Sequence, residues 1–100
     1  MNVDFSKDFI KTVRKLSGKQ RQSVADVIEE VQEANQLKDI TDCKKLTSYS
    51  NIYRIRIGSY RAFFTLHIEI VGDTVRFEYL VARGQAYSKK MENELKRIDD

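Results

Sequence analysis

The 100-residue sequence contains no proline and no tryptophan, and it has a single cysteine and a single histidine. Cys43 alone excludes an internal disulfide. A thiolate nucleophile at Cys43 would need His67 as its partner, and one Cys with one His is too few ligands for a zinc site. Cys43 lies in a polar connection and His67 within an alternating apolar segment. We therefore interpret both as structural and predict no metal or other cofactor.

Long apolar runs are also missing. The longest, residues 62–71, is interrupted by Thr65, His67 and Glu69, and it is shorter than the ~20 residues of a membrane-spanning helix. The N-terminal residues show neither a charged start leading into an apolar run nor a small-residue cleavage site. We expect a cytoplasmic protein with no membrane partner, and its length fits a single domain, 1–100.

What the sequence does contain is an α+β pattern. Residues 2–5 alternate as a short N-terminal strand, and Ser6 offers an N-cap hydroxyl to a first helix whose apolar stripe ends at Ser17-Gly18. A second helix is predicted from about Lys19 to Ala34. The short connection folds the two helices into a helical hairpin.

Alternating apolar residues after a polar connection over 35–51 predict three strands, 52–57, 60–71 and 74–82. Turns at 58–59 and 72–73 make them an antiparallel β-meander, with the helical hairpin packed on one face. Residues 88–98 predict a short C-terminal helix. The expected core comprises Tyr53, Ile55, Ile57, Phe64, Leu66, Ile68, Phe77 and Tyr79 from the strands and Phe9, Val13, Leu16, Val24, Val27, Ile28 and Val31 from the helices.

Charge is segregated along the chain although its net value is only +3. Residues 26–42 contain six acids and one base, whereas residues 43–68 contain five bases and no acid. Aromatic residues are interleaved with these bases, a combination that suits a polyanion with stackable bases. The alternative is a solvated sheet face with chance clustering of charge.

Three arginines of the acid-free stretch are expected to share one sheet face. Arg54 and Arg56 lie two residues apart on a strand, and the turn at 58–59 brings Arg61 beside them. Guanidinium groups donate in a fork to phosphate oxygens and keep their charge, which suits phosphate binding and transition-state stabilisation. The alternative is that the three are paired with acids, such as those of the second helix.

The sequence resembles the RelE/ParE toxin superfamily, and its RelE-like branch in particular. The resemblance lies in Lys44-Lys45-Leu46, in YRIRIGSYR over 53–61 and in VARGQAY over 81–87, together with the order of the predicted elements. It extends over essentially the whole chain. RelE-type members are toxins of type II toxin–antitoxin systems that enter the ribosomal A site and cut messenger RNA, whereas ParE-type members poison DNA gyrase.

The resemblance implies a catalytic set and an RNA-binding set. The catalytic residues would be Arg54, Arg56, Arg61, Arg83 and Tyr87, and the RNA-binding residues would be Lys44, Lys45, Arg54, Arg56 and Arg61. RelE has lysine at both positions of the strand pair, so the arginine at position 54 leaves the general base unassigned. His67 shares the strand parity of Arg61 but lies about 20 Å away along the strand.

The same resemblance implies the partners, namely a cognate antitoxin, the ribosome and messenger RNA. The antitoxin complex would set the oligomeric state. Two alternatives stay open at the level of sequence: a ParE-like gyrase poison and a basic RNA-binding module without catalytic activity. The first shares the fold of the ribonuclease, so fold alone does not separate them.

Overall fold

The computed structural model describes residues 1–99, which form one five-stranded sheet with helices on both faces. The predicted α+β architecture is confirmed, from the N-terminal strand and helical hairpin to the antiparallel meander and C-terminal helix. In chain order the elements are β1 (Asn2–Phe5), α1 (Lys7–Arg14), α2 (Gly18–Glu33), β2 (Cys43–Lys45), β3 (Tyr53–Ile57), β4 (Tyr60–His67), β5 (Thr74–Ala82) and α3 (Lys89–Ile98).

The strands lie in the order β1-β5-β4-β3-β2. β1 pairs in parallel with β5, and the other neighbours are antiparallel. A two-residue turn joins β3 to β4, with Gly58 at φ +57°, a conformation that glycine adopts without steric cost. This turn fixes the register of the two strands that carry the predicted arginines.

Both helices of the hairpin begin at serine caps. Ser6 Oγ accepts a hydrogen bond from the backbone N–H of Phe9 at 3.0 Å. Ser17 and Gln20 form a reciprocal capping box at the start of α2, so Ser17-Gly18, predicted to end the first apolar stripe, also begins the second helix. The apolar stripes of the helices cover one face of the sheet, where Phe9, Val24 and Val31 are buried.

The opposite face is covered in part by α3. Met91 and Leu95 of this helix are buried against Phe63 of β4 and Ile52, which precedes β3. The sequence predicted α3 but did not predict that it covers the face opposite the hairpin. The sheet therefore has apolar side chains on both of its faces.

Of the predicted core residues, Ile68 is exposed and Tyr79 packs on the opposite face of the sheet from the one predicted. β4 ends at His67, four residues before its predicted end at 71, and Ile68 and Ile70 lie in the following loop with exposures of 76% and 104%. A β-bulge shifts the register between β4 and β5, because Phe63 pairs with Tyr79 and Phe64 with Phe77. Tyr79 therefore lies on the α3 face, opposite Phe77.

β2 was not predicted. Its three residues, Cys43–Lys45, offer no apolar alternation, but they pair with β3 and form an edge of the sheet. Asp42 introduces the strand with a left-handed φ of 56°. No helix within residues 1–99 is long and apolar enough to cross a bilayer.

Candidate functional site

The basic residues of β2, β3 and β4 are brought together by strand register. Arg56 stands directly opposite Arg61, and Lys44 stands directly opposite Arg54. Residues paired in this way point to the same side of a sheet. That side is opposite to Ile55 and Ile57, which pack under the helical hairpin. We call the surface formed by Lys44, Arg54, Arg56, Arg61 and Arg83 the arginine face.

No acid neutralises the arginine face within the described residues. The ion pairs found among residues 1–99 involve other bases, such as Arg76 with Asp4 and Arg97 with Glu94. The acids of α2 lie on the helix that covers the other face of the sheet. The alternative in which strand arginines pair with acids of the second helix is therefore not what the structure shows.

Arg61 is the least accessible of these arginines, with 7% of its surface exposed. Its Nη1 donates to the backbone carbonyls of Gly58 at 3.0 Å and Tyr60 at 2.9 Å, which holds the side chain against the turn. Burial lowers the pKa of Arg61, and the positive charges of Arg56, Arg83 and Arg54 lower it further. The guanidinium groups of Arg54, Arg56 and Arg83 are thus close enough to Arg61 for their charges to affect its protonation.

Arg54 is held by Tyr87. Its Nη1 donates to the phenolic oxygen of Tyr87 at 3.2 Å, while its Nε is buried with no hydrogen-bond partner among residues 1–99. The Tyr87 ring meets the buried ring of Phe63 edge-on at 6.5 Å, and 65% of Tyr87 is exposed. The hydroxyl of Tyr87 is therefore held by Arg54 and its ring lies against Phe63, while most of the residue remains accessible for stacking.

Arg83 reaches the same region from the end of β5. Its backbone N–H donates to the carbonyl of Ser59 at 2.8 Å, so the 3-10 turn over Arg83–Gln85 is tied to the β3–β4 turn. Its side chain is exposed. Arg83 and Arg56 are thus the exposed arginines on either side of buried Arg61.

Three other residues considered from the sequence lie elsewhere. Lys45 pairs with Tyr53, so its parity places it opposite to Lys44, and its Nζ donates to the carbonyl of Tyr49 at 2.9 Å. His67 lies at the far end of β4, with Nε2 3.0 Å from Thr65 Oγ1. Cys43 packs against the core on the helical-hairpin side, and burial raises the pKa of its thiol to about 11.

Glu78, to which the sequence assigned no role, occupies the bulge of β5. Its carboxylate accepts a hydrogen bond from Thr65 Oγ1 at 2.9 Å and pairs with Arg76 at 3.5 Å. Within residues 1–99 there is no group of three or more His, Cys, Asp or Glu side chains that could hold a metal ion. The Thr65–Glu78–His67 contacts are thus a polar network at the end of the sheet away from Arg61.

Comparison with known proteins assigns the family. The chain is 40% identical over 88 residues to Toxin RelE3 of Methanocaldococcus jannaschii, and the match covers 87% of this chain and 96% of that protein. The chain belongs to the RelE toxin family. No family model matches the sequence.

Solved structures of RelE proteins share the fold. The RelB–RelE antitoxin–toxin complex from Methanococcus jannaschii matches with a TM-score of 0.67 and 32% identity, covering 84% of this chain and 94% of that one. The intact E. coli RelBE toxin–antitoxin complex matches with a TM-score of 0.64 over 81% of this chain and 94% of that one, at 24% identity. At 24% identity, the match to the E. coli complex shows a shared fold only. The RelE-like branch predicted from the sequence is thus confirmed.

Proposed function

We propose that this RelE-family chain is a ribosome-dependent messenger RNA endoribonuclease that inhibits translation. The observation that carries the proposal is the arginine face, on which four guanidinium groups converge without an acid among the described residues to neutralise them. Like charges held together at this density are costly unless an anion relieves them. A phosphodiester is an anion whose geometry fits the fork of a guanidinium group.

The proposed reaction is an internal transfer at one phosphodiester. The 2′-hydroxyl of the RNA loses its proton and attacks the adjacent phosphorus, and the bond to the 5′-oxygen of the next nucleotide breaks. The products are a 2′,3′-cyclic phosphate and a 5′-hydroxyl that has gained a proton. Negative charge builds on the equatorial oxygens and on the departing 5′-oxygen, and fixed positive groups stabilise it.

The burial of each arginine suggests its part in this reaction. Arg56 and Arg83 are exposed and can contact the phosphate and the departing oxygen. Arg61 lies beneath them and is held by the turn, so it adds charge that does not need to reorganise during the reaction. Arg54 fixes the hydroxyl of Tyr87, whose exposed ring would stack on or orient a base.

The arginine face contains no evident proton acceptor, because a guanidinium group keeps its proton at physiological pH. Such a surface stabilises charge but does little to hold a flexible strand in line for attack. Proximity and orientation can contribute about 7–11 kcal/mol to a barrier, so their absence on naked RNA is a large loss. We therefore assign the positioning of the message to the ribosome, in the cytoplasm.

An antitoxin is the second proposed partner. The matched structures from Methanococcus jannaschii and E. coli are complexes of a RelE toxin with its RelB antitoxin. A segment carrying acidic residues would relieve the like-charge repulsion on the arginine face and block access of RNA to it. The oligomeric state of this chain would then be set by its antitoxin complex.

Purified ribosomes programmed with a defined message test the proposal, with primer extension as the readout. The wild-type chain should produce a cut within the A-site codon, and Arg83→Ala should abolish it. Arg76→Ala is the matched control, because Arg76 lies on the same side of the sheet but is paired with Asp4 and Glu78. Inhibition of purified gyrase without any cut would replace the proposal with the ParE-type alternative, and RNA binding without either would leave a non-catalytic module.

A further inference from the structure

A cleft of about 570 Å³ opens beside Tyr87, between the loop over 46–52 and the side of α3. Ligand pockets commonly measure ~300–1,000 Å³. Lys44 and Tyr87 line this cleft and also border or belong to the arginine face. A strand of RNA held on the arginine face therefore passes directly by its mouth.

The interior of the cleft is apolar and partly aromatic. Leu46, Ala86 and Leu95 belong to the apolar cluster under α3, and Tyr49 packs against the same cluster while remaining half-exposed. Tyr49 and Tyr87 are thus the two aromatic side chains of the lining. Every nucleobase has a π-face that stacks on such rings, whatever its sequence.

The polar groups of the lining carry both signs of charge. Lys44 and Lys96 supply two ammonium groups. The Oε1 of Glu92 accepts a hydrogen bond from Lys96 Nζ at 2.9 Å, whereas no hydrogen bond within residues 1–99 engages its Oε2. Ammonium groups suit the phosphates on either side of a nucleotide, and a free carboxylate oxygen suits the N–H donors of a base edge.

The loop that carries Tyr49 is fixed from both ends. Lys45 Nζ donates to the carbonyl of Tyr49, and the carboxylate of Asp99 accepts from the backbone N–H groups of Ser50 at 2.8 Å and Asn51 at 2.7 Å. Preorganisation of this kind lowers the ordering cost of binding. The loop segment that carries Tyr49 is therefore already positioned before a ligand binds.

We propose that this cleft binds one unstacked nucleobase of the RNA strand that lies on the arginine face. The site rests on the proposed function and adds to it a base-binding subsite formed by Tyr49, Tyr87 and Glu92. An acidic peptide is the less suitable occupant, because its carboxylates would compete with Glu92 for Lys96 and because acidic side chains do not stack on the two aromatic rings. The base is bound by stacking, and Glu92 discriminates among bases by the donors on their edges.

Binding of a short single-stranded RNA tests the cleft directly, with the 2′-hydroxyls replaced by hydrogen so that no cleavage interferes. Tyr49→Leu should weaken binding about 5- to 150-fold, the range for stacking on one aromatic ring, and Tyr49→Phe should restore it. A probe with one abasic nucleotide at the position that the cleft binds should lose at least this factor with the wild-type chain, because it loses its contacts with both Tyr49 and Tyr87. With Tyr49→Leu the abasic nucleotide should cost less than it does with the wild-type chain, because the contact between Tyr49 and the base is already lost.

If the loss from Tyr49→Leu and the loss from an abasic nucleotide add at every position of the probe, the subsite is wrong. It is also wrong if Tyr49→Leu weakens the binding of a poly-glutamate peptide but not the binding of RNA. A cross-linking measurement on the wild-type chain covers the case in which Tyr49→Leu fails to fold. RNA carrying a single 4-thiouridine, irradiated in complex, should cross-link to the peptide that contains Tyr49. Cross-linking confined to peptides outside the cleft overturns the assignment.

The outcome for this subsite is separable from the outcome for the ribonuclease. If the wild-type chain cuts messages on ribosomes while Tyr49→Leu binds RNA like the wild type, only the subsite is lost. If the coupling between Tyr49 and one base holds while no cut is made on ribosomes, the ribonuclease is wrong and the cleft remains a base-binding site.

Discussion

Arg56 and Arg61 are direct cross-strand partners on β3 and β4, so two permanent positive charges are held opposite each other on one side of the sheet. Like charges directly opposite each other on neighbouring strands are destabilising. No acid within residues 1–99 offsets them. The pair is therefore a local cost to folding that becomes favourable only when an anion binds.

Arg56→Thr should raise the free energy of unfolding by up to ~1 kcal/mol, because it removes one charge of the pair and threonine suits a strand. The same variant should lose the cut on programmed ribosomes. Urea unfolding and primer extension measure the two effects. Arg76→Thr is the control, since Arg76 is paired with two acids and its loss should not stabilise the fold. A less stable Arg56→Thr would mean that the pair is not repulsive.

Phe64→Ala should lower the free energy of unfolding by ~3–5 kcal/mol, the usual cost of truncating a buried aromatic ring. Phe64 has no exposed surface and stacks on Tyr53 with ring centroids 5.1 Å apart. Ile70→Ala should change stability by less than about 0.5 kcal/mol, because Ile70 is fully exposed in the loop after β4. Denaturant unfolding of both variants measures the difference, and a loss under about 1 kcal/mol for Phe64→Ala would contradict its place in the core.

The sequence predicts the helices and strands of this fold better than it predicts which face of the sheet each side chain lies on. The period-two pattern identifies β5 as a strand. The bulge at Glu78 reverses which face of the sheet the following residues point to, and because apolar residues lie on both sides of the bulge, the sequence gives no sign of this reversal. Tyr79 was misplaced for this reason. The prediction that β4 continues to residue 71 failed similarly, because Ile68 and Ile70 keep the alternation after pairing has ended.

The arginine face was predictable because parity and a two-residue turn are local properties. Arg54, Arg56 and Arg61 share one face on these grounds alone, and β5 with its 3-10 turn brings Arg83 to the same region. The cleft beside Tyr87 was not predictable, since it depends on how α3 packs against a loop some forty residues earlier in the chain. In the sequence Tyr49 is only one of several aromatic residues interleaved with the bases, of which Phe63 and Phe64 prove to be fully buried.

The anchoring of α3 to the sheet should depend on pH through Glu94. Hydrogen bonds from Arg97 and Tyr79 lower the pKa of Glu94, and burial together with Glu94 raises the pKa of Tyr79 to about 12. A lowered carboxyl pKa adds stability that is present above the unfolded value of about 4.3 and is lost as the pH falls through the folded value. Glu94→Gln should therefore destabilise the chain at pH ~7 and match the wild type at low pH.

Hydrogen exchange of α3 at neutral and acidic pH, alongside urea unfolding, measures this effect. Glu33→Gln provides the control, because Glu33 is an exposed residue of α2 outside the ion pairs described above. A difference between wild type and Glu94→Gln that grows as the pH falls would contradict the assignment.

RNA binding should weaken steeply with salt, because cations bound along the RNA are released when phosphates contact the arginine face. The logarithm of affinity should fall with the logarithm of salt concentration by ~0.7 for each phosphate engaged on a single strand. Arg83→Ala should reduce that slope by about one contact. Lys11→Ala should leave it unchanged, because Lys11 is on α1, on the other side of the sheet. Fluorescence anisotropy at several salt concentrations measures the slopes, and an unchanged affinity between low and physiological salt would exclude this surface.

Arg54 and Tyr87 should act as one unit, because the hydrogen bond from Arg54 Nη1 to the Tyr87 hydroxyl joins them at 3.2 Å. Arg54→Ala leaves that hydroxyl without its donor, and Tyr87→Phe leaves the guanidinium group without its acceptor while keeping the ring. Either change frees the pair from its fixed geometry. Each single variant should slow the cut on programmed ribosomes at least about tenfold, equivalent to ~1.4 kcal/mol of transition-state stabilisation.

The double variant should be only slightly slower than the slower single variant, with a coupling of about 0.5–3 kcal/mol, because the second change removes a contact that is already lost. Single-turnover rates on ribosomes saturated with the chain measure the cycle without interference from binding. Additive losses would mean that the two side chains act on different atoms of the substrate. In that case the hydrogen bond between them would not contribute to positioning the ring of Tyr87.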